Sequence, residues 1–290
     1  MHAPYPLTRP RHARYALTRA LGRPLIYLIL LVGAVTMLMP LYWMIVSSLK
    51  ANQHVFDLPP QLLPVNPQWG NYPEALTTLP FGTFLMNTLI IEVCVIIGTV
   101  VSCSMAAYSF ARLRWRGREV VFVVLLALLM LPGFTTLTPQ FIIWYHLHAV
   151  DTLVPLIAPA FFGNSFYIFL LRQFFRGIPR ELEDAARMDG AGIVRIFVQI
   201  VLPLCKPALA VVTIFTFISV WDDYLNPLIY LNSTNHYTLA LGLQQFLTQY
   251  GARWDLLMAS STVVVLPMIA AFLAFQRYFI EGIALTGIKG

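Results

Sequence analysis

The sequence predicts an all-α integral membrane protein of six transmembrane helices with both termini on the cytoplasmic side. Three observations lead there. Hydrophobic residues fill 58% of the 290 positions and charged residues only 11%, too little polar surface to cover a soluble domain of this length. Apolar runs of about 20 residues, the length that crosses a ~30 Å hydrocarbon core, occur near 24–48, 85–111, 119–147, 153–175, 205–231 and 256–280. With both termini placed inside, 17 of the 19 Lys and Arg fall on the inner side, and only Lys50 and Arg253 fall outside. The net charge of +6 follows from that asymmetry and needs no nucleic-acid partner.

In chain order, residues 1–23 are a basic cytoplasmic tail, expected to be loosely ordered, whose Arg9, Arg11, Arg14, Arg19 and Arg23 face anionic headgroups. The apolar run after it is longer than a signal-peptide core and has no small-residue cleavage site behind it, so it reads as a retained first span. Residues 51–84, rich in Pro, Asn and Gln, form an external loop, and 107–118 closes span two with a short positive inner loop that puts Trp115 at headgroup level. Cys94, Cys103 and Cys205 fall inside spans and read as small buried apolar residues. Span three is interrupted by Pro132, Gly133 and Pro139 around Gln140. A broken helix at membrane depth is tolerated where neighbouring protein or a water-filled path satisfies the freed backbone. Span four carries Gly163, Asn164 and Ser165 near its middle. Span five ends in Trp221-Asp222-Asp223-Tyr224-Leu225-Asn226-Pro227, where one buried charge costs roughly 2.5–3.5 kcal/mol. Span six has only Pro267 to mark it. The lack of an internal repeat counts against a two-fold secondary carrier.

Residues 181–209 form a charged island in this apolar chain. Its first short helix puts Leu182, Ala185 and Ala186 on one face and Glu181, Asp184 and Arg187 off it, a small apolar face suited to docking on another protein or to lying in the membrane interface. Asp184-Ala185-Ala186, three residues, Gly190, nine residues, Ile200, any residue, then Leu202-Pro203 resembles the cytoplasmic coupling loop of binding-protein-dependent ABC importer permeases. Asp184 stands where the family has Glu, with Glu183 just before it. The resemblance extends over nearly the whole chain to the carbohydrate branch, specifically the second permease subunit of maltose-type systems. Its other matches are Pro40 with Ser47, Ser48 and Lys50; Asn71-Tyr72; Asn87; Ala107-Tyr108; Arg172-Gln173; and Gly282, Gly287, Lys289 and Gly290. Asp222 departs from the Asn usual in that branch.

That resemblance implies a type I ABC importer permease fold over 24–290, with the coupling loop at 176–205, in the cytoplasmic membrane of a prokaryote. It implies a second, unlike permease, two ATPase subunits, an extracytoplasmic binding protein, and a sugar or small oligosaccharide as cargo. No Gly-x-x-x-x-Gly-Lys-Ser/Thr loop occurs, so ATP and Mg belong to the partner ATPases, and this chain is expected to be a non-catalytic subunit without a cofactor or metal of its own. Glu183, Asp184, Ala185, Ala186, Gly190, Ile200, Leu202 and Pro203 are the expected ATPase-coupling residues: Gly190 makes a turn where a side chain would clash, the two acids offer anionic contacts, and Pro203 stops the second helix.

For the translocation path the candidates are Asp222, Asp223 and Asn226, with Asp222 and Asn226 on one face at i, i+4, followed by Asn164 and Gln140. The other reading of these groups is bonding to neighbouring helices or to the outer headgroups. Glu92 has three open readings: lining the path, snorkelling outward, or pairing with a partner subunit. A polyol, glycerophosphodiester or charged sugar derivative is the alternative cargo. A membrane enzyme and a structural assembly factor are the competing classes, and the six scattered His give an enzyme little support.

The charge asymmetry makes a direct prediction. Single cysteines at 115 and 190 should react with an impermeant maleimide only from the cytoplasmic side, and cysteines at 65 and 240 only from outside; labelling of position 190 from outside intact cells contradicts the topology.

Overall fold

The structure is a computed structural model that describes residues 11–248 and 251–287, with side chains described for 24–247 and 251–276. No strand occurs among the described residues. Helix α1 (Arg11–Ser48) runs on through Pro24 and Pro40. The basic stretch expected to be loosely ordered is therefore helical from Arg11, while Arg9, Lys289 and Gly290 lie outside the described residues. Most of the apolar part of α1 is exposed on all sides, the pattern of a helix meant for lipid or for another subunit.

A 3₁₀ turn (Asn52–His54) and α2 (Asn71–Thr78) follow. The Asn71 amide donates to the Ser48 and Lys50 carbonyl oxygens at 2.8 and 2.9 Å, so it satisfies groups left open where α1 ends. Next come α3 (Phe81–Arg112), α4 (Arg118–Leu128) and α5 (Phe134–His146). Here the apolar run 119–147 divides: Pro132 and Gly133 fall between α4 and α5, and neither helix alone is long enough to cross a membrane. Span four is composite. It is built from α6 (Val154–Ile157), a 3₁₀ turn (Ala158–Phe162) and α7 (Ser165–Gly177), with Asn164 capping α7 by accepting from the Phe166 and Tyr167 N–H groups.

The connection at one end of the bundle, labelled the inner end because the Lys and Arg distribution predicts it to face the cytoplasm, comprises α8 (Arg180–Met188), α9 (Ile193–Ile196), a π-helical turn (Phe197–Val201) and α10 (Leu202–Leu204), after which α11 (Lys206–Trp221) leaves at 79°. The opposite end, labelled the outer end, holds α12 (Leu225–Tyr230), α13 (Leu239–Leu243) and α14 (Gln245–Thr248), and α15 (Trp254–Gly287) returns. Among the described residues, the helical segments Pro24–Ser48, Phe81–Arg112, Val154–Gly177 and Trp254–Gln276, and the bent pair Ile193–Leu204 with Lys206–Trp221, are long and apolar enough to cross a membrane.

Helix α3 is the axis of the fold because it passes through both apolar cores. At its outer end Phe84 packs with Ala75, Leu79, Trp221, Leu239, Phe246 and Leu256, and the Trp221 indole donates to the Val264 carbonyl at 3.0 Å. Trp221 is therefore a core residue. Gly242 has to be glycine for this packing, since a Cβ there would sit 2.3 Å from the Phe84 ring. At its inner end Cys103, Ala107, Tyr108 and Phe110 pack with Phe122 of α4, Leu171 and Phe175 of α7, and Ile196, Val201 and Cys205. Buried Arg172 stitches three elements there. Its guanidinium lies 3.8 Å from the Phe122 ring centre, donates to the Phe110 carbonyl at 3.3 Å, and reaches Glu119 of α4 at 3.5 Å.

Outside the spans, Asp151 clasps two loops together. It adopts a left-handed φ of 63° and accepts from the Asn232 and Ser233 N–H groups at 2.9 and 2.8 Å, from the Ser233 hydroxyl, and from His236 Nδ1 at 3.3 Å. The Ser233 hydroxyl and N–H bonds hold its carboxyl well below the ordinary value. A depressed folded-state value stabilises the fold fully above the unfolded value of about 3.9 and loses that contribution as pH falls toward the folded value. Between about pH 5 and about pH 3 the melting temperature of wild type should therefore fall more steeply than that of Asp151→Ala, and parallel curves would show that the clasp contributes nothing.

Candidate coupling segment and translocation groove

Helix α8 is fastened on one side and bare on the other. The buried carboxylate of Glu183 lies 3.0 Å from Arg112 Nε at the inner end of α3, and its second oxygen lies 3.7 Å from Arg187. Arg112 also donates to the carbonyl oxygens of Phe175 and, at 2.5 Å, Ile178, which end α7. Asp184 is exposed and pairs with Arg187 at 3.1 Å. Of the two acids expected to face a partner, Glu183 is thus turned inward and Asp184 outward: one turn of helix cannot aim neighbouring residues the same way.

The apolar face also splits. Ala186 packs against the inner core, while Leu182 and Ala185 are exposed. Met188, 88% exposed, and then Ile193 and Val194 of α9 continue the bare surface. Gly190 turns between α8 and α9 with φ of 78°, a conformation that favours glycine. Nothing lies within 4 Å of where its Cβ would be, so backbone geometry requires the glycine, not the expected clash.

Pro203 does not stop the helix. Proline removes one N–H and crowds the carbonyl a turn earlier. The π turn just before it absorbs this, with the Leu202 N–H bonded to the Phe197 oxygen. The break comes instead at Cys205, between Pro203 and Pro207. Ile200 and Leu202 are half-buried and Pro203 is exposed.

On the outer side a groove of about 350 Å³ is lined by Val95 and Thr99 of α3, Pro159 and Ala160, Asn164 and Tyr167, Thr216 and Ser219 of α11, and Asn226. A smaller recess of about 30 Å³ shares Leu156 and Val220 with it and adds Thr88, Asp223 and Thr238. The structure therefore brings Asn164, Asp223 and Asn226 together. Asp222 and Gln140 are exposed and line neither cavity. The expected i, i+4 pairing of Asp222 with Asn226 fails because α11 ends at Trp221. Instead Asp223 accepts from the Asn226 backbone N–H at 3.1 Å and from its amide at 2.8 Å, capping the first turn of α12. Glu92 does not snorkel and lines neither the groove nor its recess: it is buried in α3, and neither carboxyl oxygen has a hydrogen-bond partner among the described residues.

Sequence reasoning missed Arg112 and Asp151. Arg112 counted only as one of four inner-loop charges; the available signal was that it ends a long apolar helix, where a cation meets helix carbonyls. Asp151 carried no sequence signal, since its partners lie more than 80 residues away.

Residues 98–284 match the family described as "Binding-protein-dependent transport system inner membrane component". The arabinooligosaccharides transport system permease protein AraQ of Bacillus subtilis (strain 168) is 33% identical over 261 residues, covering 87% of this chain and 91% of AraQ. The sn-glycerol-3-phosphate transport system permease protein UgpE of Pectobacterium atrosepticum is 32% identical over 265 residues, covering 89% and 94%. Among solved structures, a chain of a bacterial ABC transporter involved in the import of the acidic polysaccharide alginate superposes with a TM-score of 0.81 at 24% identity, covering 96% of this chain and all of that one.

The two neighbouring acids are predicted to behave differently. Asp223→Ala removes a helix-capping acceptor and should cost about 1 kcal/mol of thermal stability in detergent, whereas exposed Asp222→Ala should change it by less than about 0.5 kcal/mol. Equal losses would show that Asp223 does not cap α12.

Proposed function

Because this chain belongs to the family of binding-protein-dependent transport system inner membrane components, we propose that it is one of two unlike permeases of an ATP-driven ABC importer that carries a neutral sugar or small oligosaccharide. Two ATPase subunits holding ATP and Mg, and an extracytoplasmic binding protein, complete the assembly; this subunit is not catalytic. The observation that carries the reading is α8. A helix anchored internally through Glu183 and exposing Leu182, Ala185 and Met188 is a surface that another protein covers. In this reading α4 and α5 cross together as one broken span, which gives six spans with both termini in the cytoplasm of a prokaryotic cell, and the distribution of Lys and Arg supports that orientation.

Closure of the ATPases moves α8, and the spans swing from inward-open to outward-open as packed bodies. The groove favours a neutral cargo over an anionic one. AraQ is named for arabinooligosaccharides, UgpE for sn-glycerol-3-phosphate, and the solved transporter is one involved in the import of an acidic polysaccharide. The residues lining the groove and its recess include Thr, Asn, Ser, Tyr and Asp but no Lys, Arg or His. Such a lining exchanges hydrogen bonds with hydroxyls, whereas phosphate or carboxylate is normally met by Arg or Lys.

Gly190→Trp puts a bulky side chain on the exposed turn while touching no span. It should leave membrane insertion intact, lower ATPase association at least about tenfold in a pull-down, and abolish uptake. Gly190→Ala, which only strains the backbone by about 1 kcal/mol, should retain most of both. Normal association of Gly190→Trp would remove α8 as the docking element.

A further inference from the structure

Helix α8 is where the ATPase is proposed to push, and α3 carries Thr88, Val95 and Thr99 to the groove and its recess. The two helices meet at one buried ion pair. Arg112 is the last residue of α3, and its side chain and that of Glu183 are only 3% and 4% exposed. The same guanidinium holds the Phe175 and Ile178 carbonyl oxygens, at the turn from α7 into α8. An exposed ion pair separates at little cost, but a buried one cannot separate without leaving an uncompensated charge. The ends of α3 and α7 and the whole of α8 are therefore constrained to move together. The other route from α8 to the spans, through α9 and α10, contains a π turn and a 79° elbow at Cys205, which can flex.

We propose that the Arg112–Glu183 pair is the joint that passes displacement of α8 to α3 and so to the groove. Arg112 is a positioning residue for transport, and Glu183 serves transmission rather than docking. This rests on the coupling reading of α8 and goes beyond it by naming the route.

The test uses the assembled complex in nanodiscs, with Cys94, Cys103 and Cys205 replaced by Ala and a reporter cysteine introduced by Thr99→Cys on the groove face of α3. The reading is the rate of maleimide labelling with and without ATP plus vanadate, alongside pull-down of the ATPase. With Arg112 intact, the nucleotide should change the labelling rate at least about fivefold. Arg112→Gln should keep the ATPase bound but reduce that change to less than about twofold, and the swap Arg112→Glu with Glu183→Arg should recover part of it. A full nucleotide response in Arg112→Gln would overturn the proposal, and so would loss of the ATPase, which would make the pair part of docking. Should Arg112→Gln not accumulate, Glu183→Gln is read the same way: it removes the other charge of the pair, so a reduced response with the ATPase still bound supports the joint and an undiminished one overturns it. A complex with intact Arg112 that shows no nucleotide response at all, or that forms equally well with Gly190→Trp, instead contradicts the coupling reading itself.

Discussion

A guanidinium and a carboxylate buried 3.0 Å apart, Arg112 and Glu183, organise the inner half of this protein. Removing one member of such a pair costs about 3–5 kcal/mol, because the remaining charge stays in a poorly solvated site. Three consequences follow. Helix α3 ends where its terminal cation can reach the carbonyl groups that close α7. Helix α8 is drawn against that junction by Glu183, and this rotation turns Ala186 toward the core and leaves Leu182, Ala185 and Met188 outside. The bare face is thus a by-product of an internal ion pair.

The outer half is built on different physics. Uncharged packing around Phe84, Trp221, Phe246 and Leu256 fixes the helix ends, while capping bonds of Asp223, Asn164 and Asn71 and the Asp151 clasp satisfy the backbone groups that broken helices leave open. The groove lies where those breaks converge, near Asn164 of span four and Asn226 beyond α11. Irregular backbone at membrane depth and a polar cavity are therefore one feature: the same polar residues that cap the interrupted helices line the space between them.

Much of this was legible in the sequence, and the rest was lost for identifiable reasons. Apolar runs announced α1, α3, the composite fourth span and α15, because hydropathy over about 20 residues needs no tertiary information. The break between α4 and α5 was legible from Pro132 and Gly133. The end of α11 at Trp221 was not, since nothing local says that Asp223 will cap a new helix rather than continue the old one, and that choice moved Asp222 away from Asn226. In α8, position along the chain identified the segment. Which of two adjacent acids faces inward depended on Arg112, some 70 residues earlier, so no helical periodicity within 180–188 could assign it. Packing offers no account of buried Glu92, whose carboxyl oxygens have no hydrogen-bond partner among the described residues.

ATP-dependent uptake is the most direct measurement of the central claim. The complex of this chain with the second permease, ATPase pair and binding protein proposed for it would be reconstituted in proteoliposomes and offered labelled arabino-oligosaccharide, sn-glycerol 3-phosphate and an alginate oligosaccharide in parallel. The account predicts accumulation that requires ATP and the binding protein, with the neutral oligosaccharide preferred over both anions. Accumulation that persists without the ATPase would contradict the importer assignment, and preference for either anion would contradict the reading of the groove.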